Sequence, residues 1–265
     1  VKIFSDSQVA IAALRNQGST KSLQCQQWTR RILLWCESRN IQLQLEYIHT
    51  SKNIFADRAS RHFTNPDTEW CLQNNIFDYC CQFFQIQPEI DMFASRVTAK
   101  LPVYCSWHPD PYATHIDAFQ CNWTLYDNLY CFPAFSCVSR VLKKLRNVPT
   151  SHPTKMLIVL PNWPSQPWYQ SMLHATITVP LVIPVTPLTL QLRHAPGKPH
   201  PLSGKLKLLV TVLSNMHTWQ KDFHRTLLRL SYSQGKPRLT DSMTRSLNSG
   251  LGSVLEDRWL PFTQI

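Results

Sequence analysis

The sequence contains no run of about 18 apolar residues, and its first residues lack the basic, apolar and small-residue pattern of a secretory leader. Neither a membrane-spanning helix nor secretion is therefore expected, and the protein reads as intracellular, with nucleus and cytoplasm unresolved. Paired Cys-x-x-Cys motifs are missing as well. The nine cysteines are odd in number and scattered, which reads as reduced, mostly buried thiols. Acidic residues are scarce, 16 against 27 Lys and Arg, and the formal net charge of +11 suggests a polyanionic partner while saying nothing about fold. The excess is uneven: +5 over residues 1–61, +1 over 62–200 and +5 over 201–265. What is present, 43% hydrophobic residues in a chain of 265, supports a buried core in one large or two small domains.

Val1 to Phe4 reads as a short buried strand, rich in β-branched and aromatic residues. Asp6 follows it, and Ser7 is placed to cap a helix carrying Ala10, Ala13 and Leu14 that stops at Asn16-Gln17-Gly18. A second helix is predicted from about Ser22 to Ser38, with Trp28, Ile32, Trp35 and Cys36 as its core-facing stripe. Ile41 to Ile48 alternates as a half-buried strand with Ile41, Leu43, Leu45 and Tyr47 on one side. His49 lies in the loop beyond, either as a proton shuttle or simply solvated. Asn53 then opens a short helix that carries Asp57 one turn in. Magnesium is held by carboxylate oxygens, one or two per ion, with water and phosphate completing the shell. Asp6 and Asp57, from different elements, suit a shared two-metal phosphodiester site, whereas either acid alone also reads as a helix cap or turn residue.

Asp6, Ser7, Asn53, Ala56, Asp57, Ser60 and Arg61, within VKIFSDS and SKNIFADRASR, resemble the C-terminal half of a retroelement ribonuclease H domain. The resemblance implies an order of strand, helix, helix, strand, helix. It also implies Mg2+ held by Asp6 and Asp57, auxiliary roles for Ser7, His49 and Asn53, and two-metal hydrolysis of RNA in RNA–DNA hybrids. Two further acids of the family, an aspartate and a glutamate, lie on elements N-terminal to the first strand and are absent here. The chain opens on Val1 without Met, which fits a fragment of a longer polyprotein. Activity is accordingly expected of the intact protein, with an upstream reverse transcriptase as its neighbour, and not of this piece.

A boundary is predicted at Asn65-Pro66-Asp67, dividing a first domain, 1–65, from a second, 66–175. The second should open with a helix from Thr68 to about Phe84 and a short strand ending near Asp91. A helix from Ser136 to Arg146 and a strand from Met156 to Trp163 should follow, an alternation that suggests an α/β sandwich. The segments PEIDMFAS, HIDAFQCNW and LYCFPAF resemble the phage-type adenine-N6 methyltransferase domain of DIRS-type, tyrosine-recombinase retrotransposons. The resemblance implies a Rossmann-like sheet, with Asp91 where a cofactor ribose binds. Phe132-Pro133-Ala134-Phe135 falls on the family's Asp/Asn-Pro-Pro-Tyr/Phe tetrapeptide, in which an oxygen accepts from the base's amino group and the last ring stacks on the base. Phe132 supplies no acceptor, and no glycine-rich loop precedes Asp91. The site therefore reads as degenerate, S-adenosylmethionine is not expected to bind, and Phe135 is either a stacking platform or a core aromatic.

Cys105, His108, His115 and Cys121 carry zinc-type donors, but their spacings match no closed motif. Trp163 and Trp168 either cover the sheet or stack on bases. Residues 176–204 read as a proline-rich connector, 205–232 as an amphipathic helical segment, and 233–265 as a disordered tail. The fold class expected is thus α/β, a partial ribonuclease H-like fold followed by a methyltransferase-like (Rossmann-like) domain and a helical C-terminal segment. The partner expected is nucleic acid, hybrid or DNA, with no membrane. Two other functions stay open: an adenine-N6 DNA methyltransferase-derived domain, and a non-catalytic basic nucleic-acid-binding remnant.

Overall fold

The computed structural model describes residues 1–18, 22–53, 69–193, 195, 197–233 and 236–265. The protein is mixed α/β, and its chain divides into two compact units, Val1–Thr68 and Glu69–Ile265. No helix among the described residues is long and apolar enough to cross a membrane.

In the first unit, strand β1 (Lys2–Ser5) leads into α1 (Gln8–Arg15), α2 (Leu23–Glu37) and β2 (Gln44–Tyr47). Both helices begin where a serine hydroxyl takes an orphan N–H, Ser7 from Ala10 at 3.3 Å and Ser22 from Cys25 at 3.2 Å. α1 ends as Gln17 enters the left-handed region with φ 55°. β1 and β2 pair in parallel, Ser5 opposite Tyr47. The strand expected at Val1 to Phe4 forms one residue later and is not buried: Ile3 and Phe4 are 38% and 51% exposed. The two strands among the described residues of this unit present too little area to sequester each other's side chains. The stripe expected on α2 is buried at Cys36 but corrected at Trp28 and Ile32. Thr29 and Cys36 are the buried residues of that helix, while Trp28 and Ile32 are exposed. Arg31 and Arg39 lie over the rings of Trp28 and Trp35. The fifth element expected of this unit lies outside the described residues.

The second unit is built on one eight-stranded sheet. After α3 (Asn74–Phe83) come β3 (Ile90–Ala94), β4 (Tyr104–Ser106), β5 (His115–Ile116) and β6 (Asn128–Cys131). Next are α4 (Val138–Arg146), β7 (Lys155–Pro161), α5 (Tyr169–Ala175), β8 (Leu181–Pro184) and β9 (Lys207–Ser214). The chain closes with α6 (His217–Thr226), α7 (Asp241–Asn248), β10 (Gly252–Leu255), β11 (Arg258–Pro261) and β12 (Thr263–Gln264). Across the sheet the order is β12-β8-β9-β7-β6-β3-β4-β5. Every neighbouring pair is parallel except those made by β9, which runs antiparallel to both β7 and β8.

Alternation along β7 divides the core between the two faces. Met156, Ile158 and Leu160 join α4 and α5 on one side, while Leu157 and Val159 join Phe77 and Cys80 of α3 on the other. α4 follows from VSRVLKKLR, whose Val138, Val141, Leu142 and Leu145 fall on one buried stripe. Three of its four basic residues, Lys143, Lys144 and Arg146, lie in the last turn, where the helix dipole favours them.

Several sequence expectations are corrected in this unit. The helix expected from Thr68 begins only at Asn74, because Cys71–Leu72 pairs as a short strand with Leu190–Gln191. The connector assigned to 176–204 contains β8, whose Leu181, Val182 and Ile183 are buried in the sheet. Pro180 and Pro184 fall outside the strand or at its last residue, where missing donors do least harm. Most of the first half of 205–232 is β9, not helix. A continuous apolar run buried on both faces has no period to distinguish strand from helix. The tail assigned to disorder from 233 carries α7 and the β10–β11 hairpin, and β12 joins the edge of the main sheet. At Gly252 a Cβ would lie 2.5 Å from the Trp259 indole, so the hairpin closes only around a glycine.

Candidate functional site

Asp6 is the first residue beyond β1, at the carboxyl end of that strand, and is half-exposed. Among the described residues nothing is hydrogen-bonded or ion-paired to its carboxylate. Ser7 is occupied as the cap of α1. The parallel register delivers β2 to the same end of the sheet, where the Ile48 N–H donates to Ser5 O at 3.0 Å. His49 follows, exposed, with Nδ1 bonded to the Ser51 hydroxyl at 2.9 Å and capping the single 3-10 turn Thr50–Lys52. Asn53 ends that turn through its backbone N–H to Thr50 O at 3.1 Å. Asp57, with Ala56, Ser60 and Arg61, lies outside the described residues.

In the second unit the chain moves outward from β3 to β4 and β5, then crosses to β6 on the other side of β3 and continues to β7. Such a reversal leaves a crevice outside the carboxyl ends of the two diverging strands, the usual place for a ligand in an open α/β sheet. Of the resemblance-assigned residues, Phe132 to Phe135 follow the carboxyl end of β6 at this crevice. Asp91, however, is the second residue of β3, not its last, and is 2% exposed. Its Oδ1 accepts from the Phe93 N–H at 3.3 Å and its Oδ2 from the Lys100 N–H at 3.0 Å. Burial pushes the carboxyl up to about 6, against the opposing pull of those two N–H bonds and of the Lys100 charge. Each oxygen is thus engaged by a main-chain N–H inside the core, an arrangement that does not present the carboxylate to a ribose hydroxyl.

Around Asp91 lie groups that sequence reasoning missed. Tyr130, its partner across β6, is fully buried, and its phenol oxygen has no hydrogen-bond partner among the described residues. Burial holds that phenol well above its ordinary range, with Asp91 adding to the effect. The Lys100 ammonium donates to Asn74 Oδ1 at 2.8 Å, Arg193 donates to the same oxygen at 3.0 Å, and partial burial lowers the lysine's pKa. The apolar flanks Ile90 and Met92 were the available signal for the burial of Asp91. The Lys100, Asn74 and Arg193 grouping had none, because the three residues are far apart in the chain.

Phe132 to Phe135 leave the end of β6, with Pro133 buried, Ala134 exposed and the two phenylalanines half-buried. The Phe135 ring stands 5.3 Å from Trp163, edge to face, and 6.5 Å from Phe132. Trp163 follows β7, so three aromatic rings cluster where β6 and β7 end. Trp168 is not among them: it is buried in the core beside Tyr169. The zinc-type donors do not converge among the described residues. His115 Nε2 is bonded to the Tyr126 hydroxyl at 2.8 Å, and burial pushes the Cys105 thiol up to about 12 and raises that of Cys121.

No family model matches the chain, and no similar protein is found among curated proteins.

Proposed function

We propose that the chain is part of a DIRS-type retrotransposon polyprotein whose first unit is the C-terminal half of a ribonuclease H domain. The observation that carries this reading is the parallel register of β1 and β2. With Ser5 opposite Tyr47, Asp6 and the segment that runs on to Asp57 leave the same end of the sheet. The half-exposed Asp6 carboxylate, without a partner among the described residues, has the hard oxygen donors that magnesium takes. Magnesium held there would supply charge neutralisation at a phosphodiester and a lowered pKa for the attacking water. Asp6 and Asp57 hold and orient the ions, and the RNA–DNA hybrid is recognised by shape and backbone charge.

The test is Mg2+-dependent cleavage of a labelled RNA–DNA hybrid, comparing this chain with a form extended upstream by the strands and helix carrying the other two acids. Cleavage is expected only in the extended form, and Asp57→Asn abolishes it. Cleavage by the short chain, or cleavage that survives Asp57→Asn, refutes the assignment.

For the second unit the same reading is a methyltransferase-like domain that binds nucleic acid without transferring methyl groups. The strand order and the single reversed strand support such a sheet. The main-chain bonds to Asp91 and the apolar Phe132 argue against transfer, while Phe132, Phe135 and Trp163 offer stacking faces. Titration calorimetry with S-adenosylmethionine is expected to show no heat of binding, and a micromolar association overturns this reading.

A further inference from the structure

We infer that the outer face of α4, with the groove beside it, holds the phosphate backbone of a single strand of nucleic acid. The helix places four basic residues and no acid between Val138 and Arg146. Arg140, Lys143 and Arg146 are exposed, and none is ion-paired among the described residues. Spaced three residues apart along a rise of about 1.5 Å per residue, they form a cationic track roughly 9 Å long. Beside it runs a groove of about 560 Å³, walled by α4 on one side and the loop from Phe119 to Thr124 on the other.

Two contacts build that groove. The Lys144 ammonium donates to the carbonyls of Phe119 and Cys121, both at 2.7 Å, fastening the loop to the helix. The Arg140 guanidinium carbon lies 3.8 Å from the centroid of the Phe119 ring, a cation–π contact that holds the group at the groove while its N–H donors stay available to an oxyanion. Asp117, the neighbouring carboxylate, is engaged by the Phe119 N–H at 2.9 Å. A polyanion complements this face in charge. A concavity one helix wide suits one strand better than a duplex, and a positive groove with an aromatic wall is the usual form of single-strand binding. The inference does not depend on the aromatic crevice, which is assigned to base stacking and not to phosphate.

The test is fluorescence anisotropy of labelled oligo(dT) with the full chain over a salt series. Three phosphate contacts contribute a slope of about −2 to log K against log salt. The variant Arg140→Gln/Lys143→Gln/Arg146→Gln should therefore bind more weakly and with a slope shallower by about 2. A control with the same charge change elsewhere, Lys205→Gln/Lys221→Gln/Lys236→Gln, should keep the wild-type slope. No oligo(dT) binding by the wild type overturns the inference. So does an unchanged slope in the α4 variant, an equal loss in the control, or an α4 effect confined to phosphatidylserine vesicles. Phe135→Ala separates the two proposals. Weaker binding at unchanged slope is the signature of the crevice, and a neutral Phe135→Ala beside a defective α4 variant leaves the groove standing and removes the crevice.

Discussion

Asp91 pits two effects against each other inside one residue, and the stability of the second unit against pH decides between them. Its carboxylate accepts two backbone N–H bonds, which favour ionisation, yet it is buried, which opposes ionisation, and burial wins: the folded value rises from 3.8 to about 6. Because the folded state holds this proton more tightly than the unfolded chain, stability from this residue falls as pH rises. The loss is absent below the unfolded value and complete above the folded one. At 1.36 kcal/mol per tenfold change, the shift corresponds to about 3 kcal/mol. The perturbation is Asp91→Asn, which removes the titration. The amide's poorer fit to two donors is a constant offset across pH. Urea unfolding of wild type and variant, followed through amide exchange in β6 and β7, gives the difference in stability at each pH. The expected wild-type-minus-variant curve drops by about 3 kcal/mol between pH 3.8 and about 6 and is level above. A curve that rises with pH shows that the N–H bonds outweigh burial and refutes the reasoning, and a flat curve shows that the two cancel.

Gly252→Ala forces the Trp259 indole to move and is expected to cost about 1–3 kcal/mol, read as a lowered melting temperature; pairing it with Trp259→Leu should recover part of the loss. Asn215 is buried, accepts from the Thr154 N–H at 2.8 Å and donates to the carbonyls of Val148, Pro149 and His152. Asn215→Ala strands those groups and should destabilise by about 2–4 kcal/mol in chemical denaturation, whereas the exposed Lys143→Gln leaves stability within about 0.5 kcal/mol.

Elements with a clear period were legible. α4 announced itself through Val138, Val141, Leu142 and Leu145, and α1 through the cap at Ser7 and the stop at Asn16-Gln17-Gly18. β9 was not, because the apolar residues of KLLVTVLS fall on both faces of the strand, and a strand buried on both faces carries no alternation. The prolines around Leu181–Pro184 suggested a connector, since only the tertiary pairing reveals that they bracket a strand. On α2 the expected stripe of Trp28, Ile32, Trp35 and Cys36 holds at Cys36 but not at Trp28 and Ile32, and the helix buries Thr29 in their place. At the candidate site, the position of Phe132 to Phe135 just after a strand was readable, whereas Asp91, expected near a strand's end, is the second residue of β3. The main-chain bonds that close over Asp91 and the cations of α4 were not readable, because the first depend on how the turn to Lys100 folds and the second lie in a region whose net charge is only +1.

The reversed strand β9 also governs the order in which this protein can assemble on a ribosome. β8 is synthesised before β9 but can join the sheet only through it, since β9 lies between β8 and β7. Residues 185–206 separate the two strands, an interval of roughly one to four seconds at translation rates of about 5–20 residues per second. For that time Leu181, Val182 and Ile183 have no strand to pair with, and the growing polypeptide presents the kind of unpaired apolar edge that chaperones bind.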